Sequence, residues 1–133
     1  MVDIKSMDIK ELTDYIVSLG EKKFRAGQIY DWMHKKLVTS FDEMSNLPVS
    51  LRERLKKECS FTVLKEVTVR VSKLDETRKY LFLLPDGNII ESVYMKYPHG
   101  NSVCVSSQVG CRMGCTFCAS TLLGLSRQLS PSE

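Results

Sequence analysis

An α+β fold is expected from three features of the sequence. The apolar residues recur with a helical period over about residues 1–61, the period drops to two near Phe61, and a short apolar stretch late in the chain runs straight into a cysteine-rich loop. The corresponding architecture is an amino-terminal helical bundle, a three-stranded antiparallel meander, and then one strand and a loop that open a further unit.

Each element has its own signal. Asp8 can cap a helix through "IKELTDYIVSL", with Ile9, Leu12, Ile16 and Leu19 on one face and Gly20 as the stop. "RAGQIYDWMHKKLV" places Ile29, Trp32, Met33 and Leu37 at helical spacing. "FDEMSNLP" reads as a loop or a short turn of helix, and "VSLRERLKKECS" as a third amphipathic helix starting near Ser50. Short helices with short connections point to a bundle. Beyond Phe61, "VLKEVTVRVSKL", "TRKYLFLL" and "NIIESVYMKY" are rich in Val, Ile, Leu, Tyr and Phe, and "LDE" and "PDGN" punctuate them. This predicts a meander over roughly residues 64–96. "YPHGN" reads as a linker, and "SVCVSSQVG" as a strand of the kind buried in a parallel sheet. "SPSE" carries the pattern of a helix start, with Ser130 at the cap, Pro131 first and Glu133 third.

Composition narrows the class. The chain has 133 residues, 43% hydrophobic and 26% charged, the balance of a soluble globular protein. The formal charge of +3 tolerates an RNA partner without arguing for one. The start, "MVDIKSMDIKELTDYIVSLG", lacks the apolar core of a signal peptide, and no apolar run approaches the roughly 20 residues that span a bilayer. A cytoplasmic location follows as the expectation. Thiols stay reduced there, so clustered cysteines read as metal ligands or catalytic groups.

Such a cluster is present. "VGCRMGCTFCAS" holds Cys111, Cys115 and Cys118 with spacing C-x3-C-x2-C. A structural zinc site wants four ligands, and His99 and Cys104 are the nearest candidates for a fourth, neither at typical spacing. Three thiolates suit an iron–sulfur cubane whose fourth iron stays open to a substrate or cofactor.

The spacing resembles the signature of the radical S-adenosylmethionine superfamily, and Phe117, just before the last cysteine, is typical of it. The wider run "CVSSQVGCRMGCTFCASTLLGLSRQL" is similar to the RlmN and Cfr methyltransferases within that superfamily, which methylate an adenine carbon in RNA. "FRAGQIYDWMHKKLVTSFDEMSNLPVSLRERL" resembles their amino-terminal accessory domain, and "LFLLPDGNIIESVYMKY" the segment leading into their barrel. The likeness covers nearly the whole chain.

The resemblance implies Cys111, Cys115 and Cys118 as ligands of a 4Fe-4S cluster and S-adenosylmethionine as cofactor, with Phe117 near its adenine. It implies Glu91 as proton acceptor, and Cys104 as the thiol that resolves a covalent protein–RNA intermediate by forming a disulfide. The implied reaction is methylation of C2 of adenine-2503 in 23S rRNA, with a tRNA adenine as a second target, through a methyl-cysteine. An electron donor such as flavodoxin is the implied partner. C2 lies between two ring nitrogens and is a poor nucleophile, so radical addition suits it, and a carboxylate and a second thiol suit the later loss of a proton and of the bond to sulfur. Methylation of C8, the sister activity, and a noncatalytic RNA-binding module are the alternatives.

In these terms residues 1–61 are a helical accessory domain with RNA contact, 62–98 the meander leading into a barrel, and 99–133 the start of a radical-SAM (β/α) barrel that is truncated after its first strand and cluster loop. Nothing in the chain matches the methyl-carrying cysteine or the glycine- and glutamate-containing motif that holds S-adenosylmethionine. The expectation is an amino-terminal part that does not work alone. Without the resemblance, Glu91 and Cys104 would read as ordinary strand residues; Cys59, Trp32 and Tyr30 read as core, and "HKK" and "RERLKK" as solvated helix faces.

Overall fold

A computed structural model describes all 133 residues, in which the chain divides into two compact units, residues 1–63 with Ser132 and residues 64–131 with Glu133.

The first unit is helical. Its first helix, α1 (Ile9–Ser18), starts at a complete capping box: Asp8 accepts from the Glu11 N–H at 2.8 Å, and Glu11 accepts from the Asp8 N–H at 2.9 Å. Leu12 and Ile16 are buried while Ile9, in the first turn, stays exposed. Gly20 stops the helix with φ +80°, a backbone angle that costs glycine nothing. The second helix, α2 (Phe24–His34), ends earlier than the apolar period suggests. The N–H groups of Lys35 and Lys36 both donate to the Asp31 carbonyl at 3.0 Å, and Leu37 turns left-handed at φ +55°. That turn throws Leu37 outward, 72% exposed, and puts Val38 into the core in its place. A short 3-10 turn over Phe41–Glu43 follows, and then α3 (Val49–Glu58), which opens directly after Pro48. Two short parallel strands, β1 (Val2–Asp3) and β2 (Cys59–Ser60), join the ends of this unit. Ile4, Leu12, Ile16, Ile29, Met44 and Leu55 form the centre of its core, with Tyr30 and Trp32 packed at the edge. Cys59 is buried against the Tyr15 hydroxyl at 3.3 Å, and burial pushes its thiol pKa up, as expected of a structural cysteine.

The second unit is built on four antiparallel strands in sequence order: β3 (Lys65–Val71), β4 (Arg78–Leu83), β5 (Ile89–Tyr97) and β6 (Gly100–Val105). The expected meander therefore has a fourth strand. "YPHGN" is a tight hairpin, with Tyr97 paired to Gly100 and Gly100 at φ +137°. The expected buried, parallel strand over "SVCVSSQVG" is two pieces. β6 is an exposed edge strand of the sheet, and β7 (Gln108–Gly110) pairs antiparallel with β8 (Leu125–Gln128). A Val/Ser run has no period that tells a buried parallel strand from an antiparallel edge; the pairing partner decides. The expectation of a buried, parallel strand is corrected accordingly, while the mixture of helix and sheet stands.

Three residues, Leu84, Ile90 and Val109, form the small core of this unit. The "PDGN" turn closes β4 onto β5: the Asp86 carboxylate accepts from the Asn88 N–H at 3.1 Å, and the Leu84 N–H donates to the Asn88 carbonyl at 2.8 Å. Where a helix start was expected, Ser130 and Glu133 close a turn: the Ser130 N–H donates to the Glu133 carboxylate at 3.0 Å, and the Glu133 N–H donates to the Ser130 carbonyl at 3.0 Å. No helix is long and apolar enough to cross a membrane.

Candidate functional site

The cysteine loop hangs between β7 and β8. Its base is a close backbone approach: the Cys111 N–H donates to the Gly124 carbonyl at 3.1 Å. Gly110, at φ +74°, is required there, because a Cβ would collide with that same carbonyl. Further along, the Cys118 N–H donates to the Cys115 carbonyl at 3.1 Å, and the Thr121 hydroxyl donates to the Cys118 carbonyl at 2.9 Å, at the start of a 3-10 turn over Ala119–Thr121. β8 is pinned in turn by Arg127, whose guanidinium pairs with Asp86 at 2.6 Å and with Glu133 at 2.7 Å. The pairing holds the Asp86 carboxyl well below the usual carboxylate range and lowers that of Glu133 to about 2.

Cys111, Cys115 and Cys118 are half-buried free thiols. As donors they suit an iron–sulfur cluster, but as arranged they do not meet: no group of three His, Cys, Asp or Glu side chains is placed to hold a metal ion. His99, the alternative fourth zinc ligand, stacks on Tyr97 at the hairpin, 5.2 Å between ring centroids. Phe117 stands at the loop surface, 91% exposed, with Met113, Leu122 and Leu123 also exposed nearby. All five cysteines are free, so Cys104 is in no disulfide.

The sheet gathers the other two predicted residues. In an antiparallel sheet directly opposed residues share a face, as do residues two apart on one strand. Cys104 on β6 opposes Val93 on β5, and Glu91 is two residues from Val93. Glu91 and Cys104 therefore project from the same face on adjacent strands, as diagonal neighbours. Cys104 is exposed, and the Ser106 hydroxyl donates to the Glu91 carbonyl at 2.8 Å, tying the end of β6 to this point of β5.

Two residues that sequence reasoning missed complete this face. Lys79 on β4 opposes Val93, and its ammonium pairs with the Glu91 carboxylate at 2.5 Å. Arg70 on β3 opposes Lys79, so that Arg70, Lys79, Val93 and Cys104 make one row across the sheet. Alternation along β3 could not have revealed this, because a bulge between Glu66 and Thr68 resets its parity relative to β4. A cavity of about 190 Å³ is lined by Thr68, Arg70, Lys79, Leu81 and Glu91. A second, of about 380 Å³, brings Glu91 together with Cys111 and Ser120 of the cysteine loop. A half-exposed carboxylate, an accessible thiol and two cations thus lie along one face, which leads at its Glu91 end to the cysteine loop. Such a set can accept a proton and present a nucleophilic sulfur.

Known proteins are similar to this chain in sequence and in fold. Residues 2–61 match the family described as the ribosomal RNA large subunit methyltransferase N-terminal domain. Over all 133 residues the chain is 63% identical to a protein of Lachnospira eligens named "Probable dual-specificity RNA methyltransferase RlmN", covering 38% of it. It is 50% identical over its full length to a protein of the same name from Clostridium novyi, covering 39% of that one. A crystal structure of a radical SAM methyltransferase from Sphaerobacter thermophilus superposes with a TM-score of 0.87 at 38% identity, over 97% of this chain and 38% of that one. The chain thus spans about two fifths of the length of these relatives.

Proposed function

Since the chain belongs, as an amino-terminal portion, to the RlmN-type family of radical SAM RNA methyltransferases, we propose that it supplies the accessory domain, the acid–base and thiol face, and the cluster loop of an enzyme that methylates C2 of an adenine in 23S rRNA and in tRNA. The observation that carries this reading is the placement of Glu91 and Cys104 on one sheet face, with Glu91 sharing a cleft with Cys111.

In this reading Glu91 takes the proton from the methylated ring carbon, and Cys104 supplies the thiol that frees the product from the protein. Cys111, Cys115 and Cys118 would hold a 4Fe-4S cluster through their three thiolates. Bound there, the cluster with S-adenosylmethionine would supply radical chemistry, and Phe117 would cover the cofactor's adenine. The electron comes from a donor of the flavodoxin kind. The chain by itself does not complete the reaction, since the methyl-carrying cysteine of the family has no counterpart within it.

Anaerobic reconstitution tests the cluster. A brown protein with four irons per chain is expected, and conversion of all three clustered cysteines to serine abolishes the colour. A colourless product with stoichiometric zinc overturns the assignment. Mass spectrometry of digested rRNA from a deletion strain tests the position: loss of 2-methyladenosine is expected, whereas loss of 8-methyladenosine shows the C8 activity instead.

A further inference from the structure

The sheet face beside Glu91 carries more positive charge than its own fold uses. Arg70 and Lys79 are directly opposed on β3 and β4, where two like charges destabilise the pairing. Only one carboxylate, Glu91, faces them, and it is taken by Lys79. Arg70 enters none of the chain's ion pairs. The other side chains on this face include Thr68, Leu81, Val93, Met95, Ser102 and Cys104, none of them a counter-charge near neutral pH, and Lys65, a further cation opposite Leu83. The 190 Å³ cavity therefore holds two cations, one carboxylate and a hydroxyl, with one positive charge unbalanced. A single phosphodiester supplies the missing negative charge, and guanidinium, ammonium and hydroxyl are the groups that bind phosphate oxygens.

We propose that Arg70 and Lys79 bind a backbone phosphate of the substrate RNA beside Glu91. The inference rests on the reading that this family's substrate is RNA, and it adds a binding site to it. Lys79 lies two strands from Cys104 in the same row, about 10 Å away at the usual strand spacing. The phosphate would thus fix the strand while its base is presented to Glu91 and Cys104. Arg70 anchors the phosphate through a planar fork of donors. Lys79 bridges phosphate and carboxylate, so RNA binding and the orientation of Glu91 are coupled through one ammonium.

The test uses the 133-residue chain and a fluorescein-labelled single-stranded RNA oligonucleotide, with binding followed by fluorescence anisotropy between about 50 and 200 mM salt. Arg70→Gln and Lys79→Gln are each expected to reduce the slope of log affinity against log salt by about 0.7, the value for one lost phosphate contact on a single strand. Lys79→Arg keeps the wild-type slope. Lys96→Gln, on the opposite face of the same sheet and paired there with Glu76, also keeps it. The slope is the readout because Lys79→Gln additionally exposes the Glu91 charge and lowers affinity for that reason alone. Unchanged slopes in both Gln variants, an equal drop with Lys96→Gln, or no salt-dependent binding by the wild type overturns the proposal. Iron content decides the cluster assignment separately. A colourless protein whose RNA-binding slope still falls in the two variants would keep the phosphate site while the methyltransferase reading fails.

Discussion

The helical unit and the sheet unit stabilise themselves in different ways. Thirteen buried residues, from Ile4 to Cys59, form one continuous core in the first, whereas the second buries three and leaves Val71, Val103 and Val105 exposed on its strands. Burial at roughly 25 cal/mol per Å² is the dominant stabilising term where it is available. The sheet unit has little of it and depends on its ladders, its tight turns and the Arg127 ion pairs. The difference teaches where function can sit. A unit with a closed core has little freedom to change its inner residues, whereas an open sheet face can carry charges such as Arg70, Lys79 and Glu91 that contribute little to folding.

That contrast can be broken most strongly in the core. Leu55→Ala, at a fully buried position of α3, is expected to cost about 2–5 kcal/mol, seen as loss of helical signal at lower denaturant. Hydrogen exchange in β3 to β6 should stay close to wild type; a matching loss there would show that the two units share one stability. Gly110→Ala is the counterpart in the sheet unit. A Cβ on a left-handed residue facing the Gly124 carbonyl should cost about 1–3 kcal/mol. The amide of Cys111 should then exchange faster while α1 to α3 are unaffected.

Asp8→Ala removes one half of the capping box and should cost about 1 kcal/mol, confined to the helical unit and readable as a small fall in its melting temperature. Acid acts least and on the other unit. Asp86 and Glu133 have depressed folded-state pKa values, so their contribution is complete above their unfolded values near 4; that of Glu133 fades as pH falls from there to about 2, and that of Asp86 is lost at lower pH still. Exchange at β7 and β8 should rise across that window. Arg127→Met should remove the pH dependence; if it persists, other carboxylates are responsible.

Much of the helical unit was legible because its signals are local. Asp8 and Glu11 lie three residues apart, and Gly20 and Pro48 act on their immediate neighbours. The end of α2 was less legible: the period continues to Leu37, but the Asp31 carbonyl captures two amides and the chain turns. The cysteine spacing was legible as well, since Cys111, Cys115 and Cys118 lie within eight residues.

The sequence by itself therefore determined the helices, their caps, the change of period near Phe61, the cysteine motif and the family likeness, all carried by residues close along the chain. Only the tertiary structure decided that residues 100–105 return to the sheet, that Glu91 and Cys104 share a face, and that Arg70 and Lys79 join them. Strand pairing links residues far apart in sequence, and one bulge in β3 shifts which side chains meet. The face holding the charges and the thiol is a consequence of register, and register is a property of the assembled sheet.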